Sequence, residues 1–150
     1  MIEIKQQLYS RCLDYVTQRI DTFQKAITTA QRSANEETKS SAGDKYETGR
    51  AMMQLEIEKN TIQLAEAIKL KKALDEINPV APTTSVMPGS LVITAQSNYY
   101  ISISAGQLQV DDKTYFAISP ASPIGTLLKG LNVGDTFVFK AKTIRIDHIA

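Results

Sequence analysis

Between Asn35 and Arg50 the chain gathers four carboxylates, Glu36, Glu37, Asp44 and Glu47, and three cations, Lys39, Lys45 and Arg50. Asp44 and Glu47 are the pair whose spacing could do chemistry. At the start of a helix, side chains three residues apart project on the same side. Two such carboxylates are hard oxygen donors suited to a divalent cation such as Mg²⁺. That ion takes about six oxygens, so the pair is too small to hold it alone, and the isolated chain is expected to bind none. What the pair allows is delivery: two carboxylates carried into another molecule's active site, sharing an ion with ligands there. A structural account of the same residues is simpler. Asp44 serves as an N-cap and Glu47 completes a capping-box-like pair, in a turn that is polar because loop tips are. Spacing alone leaves both accounts open.

Other chemistries are bounded by count. Cys12 is the sole cysteine and His148 the sole histidine. A disulfide framework, a zinc knuckle and a paired-cysteine redox site are excluded. A Cys–His nucleophile would need a residue of the first helix and one near the last residue to meet. Cys12 reads instead as a small packing residue. Seventeen basic and 16 acidic residues leave a formal net charge of +1, which gives no electrostatic case for DNA or membrane binding. No apolar run approaches the roughly 20 residues that span a bilayer. The N-terminal stretch carries acids and amides where a signal peptide needs an apolar core. The expectation is a cytoplasmic protein.

The elements that must position Asp44 and Glu47 are two long helices. Leu13, Val16, Ile20, Phe23, Ile27, Ala30 and Ala34 alternate steps of three and four, a heptad seam. No Pro or Gly interrupts the chain before Gly43, so a helix over about residues 3–41 would run roughly 55–60 Å. A second runs from about Tyr46 to Ile77, with Met53, Ile57, Leu64, Ala67 or Ile68, and Leu74 as its stripe and Asn60 and Lys71 interrupting it. Asn78–Pro79 ends it, because a residue before proline leaves the α region. Two amphipathic helices joined by a short polar turn form an antiparallel hairpin, here a thin coiled coil. One continuous helix in a parallel homodimer is the alternative, and Gly43 and Gly49 argue for the hairpin.

The segment from Asn78 to Gly89 holds three prolines and no periodicity, which reads as a linker. Beyond it the period becomes two. Leu91–Ala95, Tyr99–Ser104, Gln107–Val110, Thr114–Ile118, Thr136–Lys140 and Thr143–Ile149 are the predicted strands, with turns at Ser97-Asn98, Ala105-Gly106, Asp111-Asp112 and Val133–Asp135. A short helix follows Ser122 as N-cap, with Pro123 at its first position, Ile124, Leu127 and Leu128 buried and Gly130 closing it. The fold class is α+β in two domains: a coiled-coil hairpin at 1–78, a linker at 79–88, and a β-sheet domain with one short helix at 89–150.

This order of parts, together with its motifs, resembles the bacterial transcript-cleavage factors GreA and GreB. Met87-Pro88-Gly89-Ser90-Leu91-Val92 looks like the family's Gly-Ser start to a strand. Ile118-Ser119-Pro120-Ala121-Ser122-Pro123-Ile124-Gly125, then Leu127-Leu128-Lys129-Gly130 and Val133-Gly134-Asp135, follow its order and spacing. At the tip, Gly43-Asp44-Lys45-Tyr46-Glu47 matches its Gly-Asp-x-x-Glu. The resemblance covers nearly the full chain. It implies an FKBP-like second domain, with no isomerase activity, and a hairpin that enters the secondary channel of RNA polymerase. There Asp44 and Glu47 would help position a Mg²⁺ shared with the polymerase, which then hydrolyses its own backtracked RNA. Gly43, Lys39, Lys45 and Arg50 would support the tip. The chain would be an accessory factor rather than an enzyme, touching the RNA 3′ end only indirectly and reading no DNA sequence.

Three departures stand beside the match. Thr48-Gly49-Arg50-Ala51 replaces the family's Asn-Ala-Glu-Tyr, Ser40 stands where the family has a basic residue, and the stretch Phe139–Ile144 lacks its Pro-Gly turn. The alternative they keep open is a Gre-like regulator that binds polymerase without stimulating cleavage.

Overall fold

The computed structural model describes the chain apart from residues 40–42, and apart from the side chains of residues 37–46. Its packing forms two units, Val16–Lys71 and Met1–Tyr15 with Lys72–Ala150.

The first unit is built from the greater part of helices α1 (Ile2–Lys39) and α2 (Gly43–Asp75), whose outer ends, Ile2–Tyr15 and Lys72–Asp75, belong to the second. They are separate helices, and their facing residues come from opposite chain directions. Gln31, Ala34 and Asn35 stand against Arg50, Gln54 and Ile57. The hairpin is therefore antiparallel, and the continuous helix is ruled out. At 38 residues, α1 is about 57 Å long. Its seam is narrow because Ala30, Ala34 and Ala67 are buried where larger residues would push the helices apart. Asn60 is buried in the same seam and donates from Nδ2 to the Glu56 carbonyl at 2.8 Å and to Glu56 Oε1 at 3.1 Å. Both acceptors lie one turn back on α2 itself, so the amide is satisfied within its own helix and costs stability relative to an apolar seam residue. Outside the seam, Asp21 and Lys25 pair at 2.9 Å across one turn, both well exposed. Such an exposed pair is screened by solvent and adds little to stability.

The second unit carries six strands: β1 (Leu91–Thr94), β2 (Asn98–Ile101), β3 (Gly106–Val110), β4 (Lys113–Ile118), β5 (Thr136–Phe139) and β6 (Lys142–Ile149), with helix α3 (Pro123–Leu128) before β5. Their order is β3-β4-β2-β1-β6-β5. Every pairing is antiparallel except β2 with β4. In β6, Ile144 and Ile146 face inward, then Asp147 and His148 both face out before Ile149 turns in. A bulge explains the break: Ile93 pairs with His148 and Thr94 with Ile146, leaving Asp147 unmatched.

The turns follow backbone chemistry. Asp111 and Asp112 both have positive φ, 51° and 63°, the mirror-type hairpin that Asp tolerates. Two expected turns sit elsewhere. Asn98 belongs to β2, because the bend is closed earlier by Thr94, whose Oγ1 donates to the Ser97 carbonyl at 2.7 Å. Gly106 opens β3 with φ 79° instead of ending a turn. The segment 79–88 has no helix or strand, yet it is laced to the sheet. Val86 N–H donates to the Leu131 carbonyl at 2.9 Å, Gly130 N–H returns a bond to Val86, and Thr83 Oγ1 donates to the Ala150 carbonyl at 2.8 Å.

Helix α3 shows why its motif has those residues. Ser122 Oγ accepts from Gly125 N–H at 3.1 Å, Pro123 fills the first position, and Gly130, at φ 76°, follows the cap residue Lys129. A Cβ on Gly125 would collide with the Ser119 carbonyl and lie 2.8 Å from Ser122 Oγ. The Ser119–Gly125 loop closes on itself only with glycine there.

Candidate functional site at the helical tip

Residues 40–42 join two long antiparallel helices, and Asp44 and Glu47 lie in the opening turns of the second. Helix α2 starts at Gly43, so Asp44 is inside the first turn, not ahead of it as an N-cap. The helix macrodipole explains why an acid is accommodated there, since the unpaired N–H groups carry partial positive charge. Glu47 is exposed, and Arg50 is exposed one turn further along the same helix. The side chains of Lys39, Asp44 and Lys45, and the surroundings of Gly43, lie outside the described residues.

Below these positions the two helices part to leave a cavity of about 320 Å³ lined by Gln31, Ala34, Asn35, Arg50, Gln54 and Ile57. Three amides and a guanidinium make its lining polar, with donors enough to hold an anionic or amide-bearing group. The three glutamine and asparagine residues carried no signal in the sequence taken one helix at a time. They become legible only once the antiparallel turn places 31 and 35 opposite 54 and 50. Among the described residues, no three His, Cys, Asp or Glu side chains group to hold a metal ion.

Cys12 and His148 do not meet. Cys12 is fully buried in the unit that holds the sheet, with its thiol 3.5 Å from Ser102 Oγ. Burial pushes its pKa above the ordinary value, and the Ser102 hydrogen bond only partly opposes that. It is an inert packing thiol. His148 is exposed on β6.

Around Cys12 sits a polar cluster that sequence reading missed. Lys5 is fully buried and donates from Nζ to the Ala81 carbonyl at 2.8 Å, and burial lowers its pKa. Tyr9 donates its hydroxyl to the Leu74 carbonyl at 3.2 Å. Tyr100 is fully buried and its hydroxyl has no hydrogen-bond partner among the described residues. A lysine in a polar N-terminal stretch gives no hint of burial, because lysine is almost never fully buried. These groups tie the first three turns of α1 to the end of α2, to the segment after it and to the residue that follows β2.

No family model matches the chain. No curated protein matches it. Among solved structures it is similar to that of the transcription factor Gfh1, at 18% identity over 94% of this chain and 92% of that one, with a TM-score of 0.34. A likeness of that size assigns no role to any residue of the tip. No helix among the described residues is long and apolar enough to cross a membrane.

Proposed function

We propose that this chain is a cytoplasmic transcription factor that binds RNA polymerase, inserts its hairpin into the secondary channel and stimulates cleavage of backtracked RNA. One observation carries the reading. Gly43-Asp44-Lys45-Tyr46-Glu47 opens α2 directly after the three residues that join the helices. The acids that match Gly-Asp-x-x-Glu are therefore at the point of a narrow two-helix rod. A rod two helices thick is roughly 20 Å across, a shape suited to entering a channel. The six-stranded sheet and its capped helix α3, built on the Ser119–Gly125 motif, support the same reading from the other half of the chain.

The chain's own part in the reaction is positional. Asp44 and Glu47 would be the residues that hold a Mg²⁺ ion, as hard oxygen donors, and two carboxylates would leave its remaining sites to the polymerase and solvent. When bound, such an ion supplies water activation and charge stabilisation for phosphodiester hydrolysis. Glu47 is exposed and available to a partner. Bond breaking belongs to the polymerase, so the chain is not an enzyme by itself.

A second reading is favoured by Arg50, which stands where the family carries an acid. A cation one turn from Glu47 lowers the tip's net negative charge and weakens its pull on a metal ion. A regulator that occupies the channel without stimulating cleavage follows from that. Stalled, backtracked elongation complexes separate the readings. With wild-type protein the first predicts RNA shortened from its 3′ end, and with Asp44→Ala or Glu47→Ala binding without shortening. Binding with no cleavage by the wild type moves the assignment to the second reading, and no binding to polymerase removes both.

A further inference from the structure

On the sheet unit, a cleft of about 340 Å³ is lined by Tyr99, Phe116, Ile118, Ile124, Phe139 and Lys140. It takes no part in the tip chemistry. Tyr99 and Ile124 are nearly fully buried. Phe116, Ile118 and Phe139 are half-buried against the same core. The core thus leaves aromatic and aliphatic surface unfinished at this place. The Tyr99 and Phe116 rings stand 6.2 Å apart with their planes tilted by 36°, in contact at an angle rather than stacked flat. The volume is at the lower end of the range for small-ligand sites, about 300–1,000 Å³.

Charge adds a direction. Lys140 is the one charged side chain lining the cleft among the described residues, and no carboxylate lines it. Its ammonium lies 5.4 Å from the centre of the Phe139 ring. Lys140 and Ala141 hold the turn between β5 and β6 at φ 51° and 62°. Glycine, Asn and Asp suit that left-handed turn, as Asp111-Asp112 does at the other hairpin, whereas Lys and Ala adopt it only at a cost. The strained turn sets the cation against an aromatic wall of the cleft, and backbone strain concentrates where function needs a side chain placed.

We infer that this cleft binds a small aromatic carboxylate, its ring between Tyr99, Phe116 and Phe139 and its carboxylate on the Lys140 ammonium. A neutral ligand of the same shape keeps the apolar contacts and loses the charge pairing. An amine meets repulsion. The inference is independent of the tip, so a failure of either leaves the other standing.

The test uses the full chain and heteronuclear NMR, with indole-3-propionate as the probe and its primary amide and tryptamine as controls. Saturable shifts at Tyr99, Phe116 and Phe139 are expected with the acid. Binding weaker by about three- to fivefold is expected for the amide and for the acid with Lys140→Gln, the upper part of the range of an exposed charge pair, and weaker still for tryptamine. Lys140 is exposed, so its substitution leaves the fold intact. Absence of saturable shifts at about 10 mM acid, a free energy of only a few kcal/mol, overturns the inference. So does equal affinity for acid and amide, or an acid affinity that Lys140→Gln leaves unchanged.

Discussion

Tyr100→Phe should stabilise this protein, against the usual effect of a core substitution. Tyr100 is fully buried, and its hydroxyl is the one buried side-chain polar atom without a partner among the described residues. Burying such a group unpaired costs about 1–3 kcal/mol, and removing it leaves the ring in place. The void of one oxygen returns part of the gain, so the net expected is about +1 to +2 kcal/mol. For a chain of this size that raises the midpoint by roughly 2–4 °C per kcal/mol. The chain has no Trp, so far-UV circular dichroism through urea and thermal unfolding is the natural assay. The alkaline limb gives a second readout. Burial, then the neighbouring Cys12 and Tyr9, push the Tyr100 phenol well above its ordinary 10.0. The folded state therefore holds that proton more tightly than the unfolded chain. Its contribution is complete below pH 10 and is lost as the pH rises beyond, so wild-type stability falls there and the variant falls less. The Cys12 thiol, also raised by burial, begins the same loss above its ordinary 9.0. Lys5, lowered by burial from 10.5, acts with the opposite sign and softens the fall. A destabilisation of more than about 1 kcal/mol in Tyr100→Phe, the value of an ordinary hydrogen bond, would show that the hydroxyl is satisfied and refute the reasoning.

Gly125→Ala should cost about 1–3 kcal/mol, the range of overpacking a closed site, because its Cβ would strike the Ser119 carbonyl; urea midpoints measure it, and an unchanged midpoint contradicts the closed-loop account. Cys12 is fully buried and should react with a maleimide only on unfolding, so its labelling rate should rise with urea along the unfolding curve; fast labelling in native buffer would show that the first turns of α1 leave the sheet unit. Asn60→Leu should raise hairpin stability by about 1 kcal/mol by removing a buried amide, while Asn60→Asp should lower it by placing a charge in the seam; unfolding curves of both variants read the pair.

Much of this fold was legible because its signals are local. The heptad seam placed both helices, and Ser122, Pro123 and Gly130 bounded α3 by capping rules. Asp111-Asp112 marked its hairpin. What was not legible depends on partners distant in the chain. The seam read from Leu13 shifts phase at its start, where Leu8, Cys12 and Val16 are the buried residues and Leu13 is only half-buried. There α1 meets the residue that follows β2 as well as α2, through the contact of Cys12 with Ser102, and a two-helix period no longer describes its buried face. Asp147 breaks the alternation of β6 through a bulge set by β1. Lys140-Ala141 turns a hairpin with residues that turn rules would not choose. At the tip, spacing placed Asp44 and Glu47 at the start of a helix, and the structure put both within it. The amides of Gln31, Asn35 and Gln54 needed the hairpin's pairing to become a site.

The central claim is that Asp44 and Glu47 lend their carboxylates to a Mg²⁺ ion in the polymerase. The most direct measurement is the Mg²⁺ concentration giving half-maximal RNA cleavage in backtracked complexes saturated with the protein. Wild type should lower that concentration relative to polymerase alone. Asp44→Asn and Glu47→Gln, which keep shape and remove charge, should bind equally well and restore the polymerase's own requirement. A wild-type curve that coincides with polymerase alone, or variants that lower the requirement as wild type does, would contradict the claim.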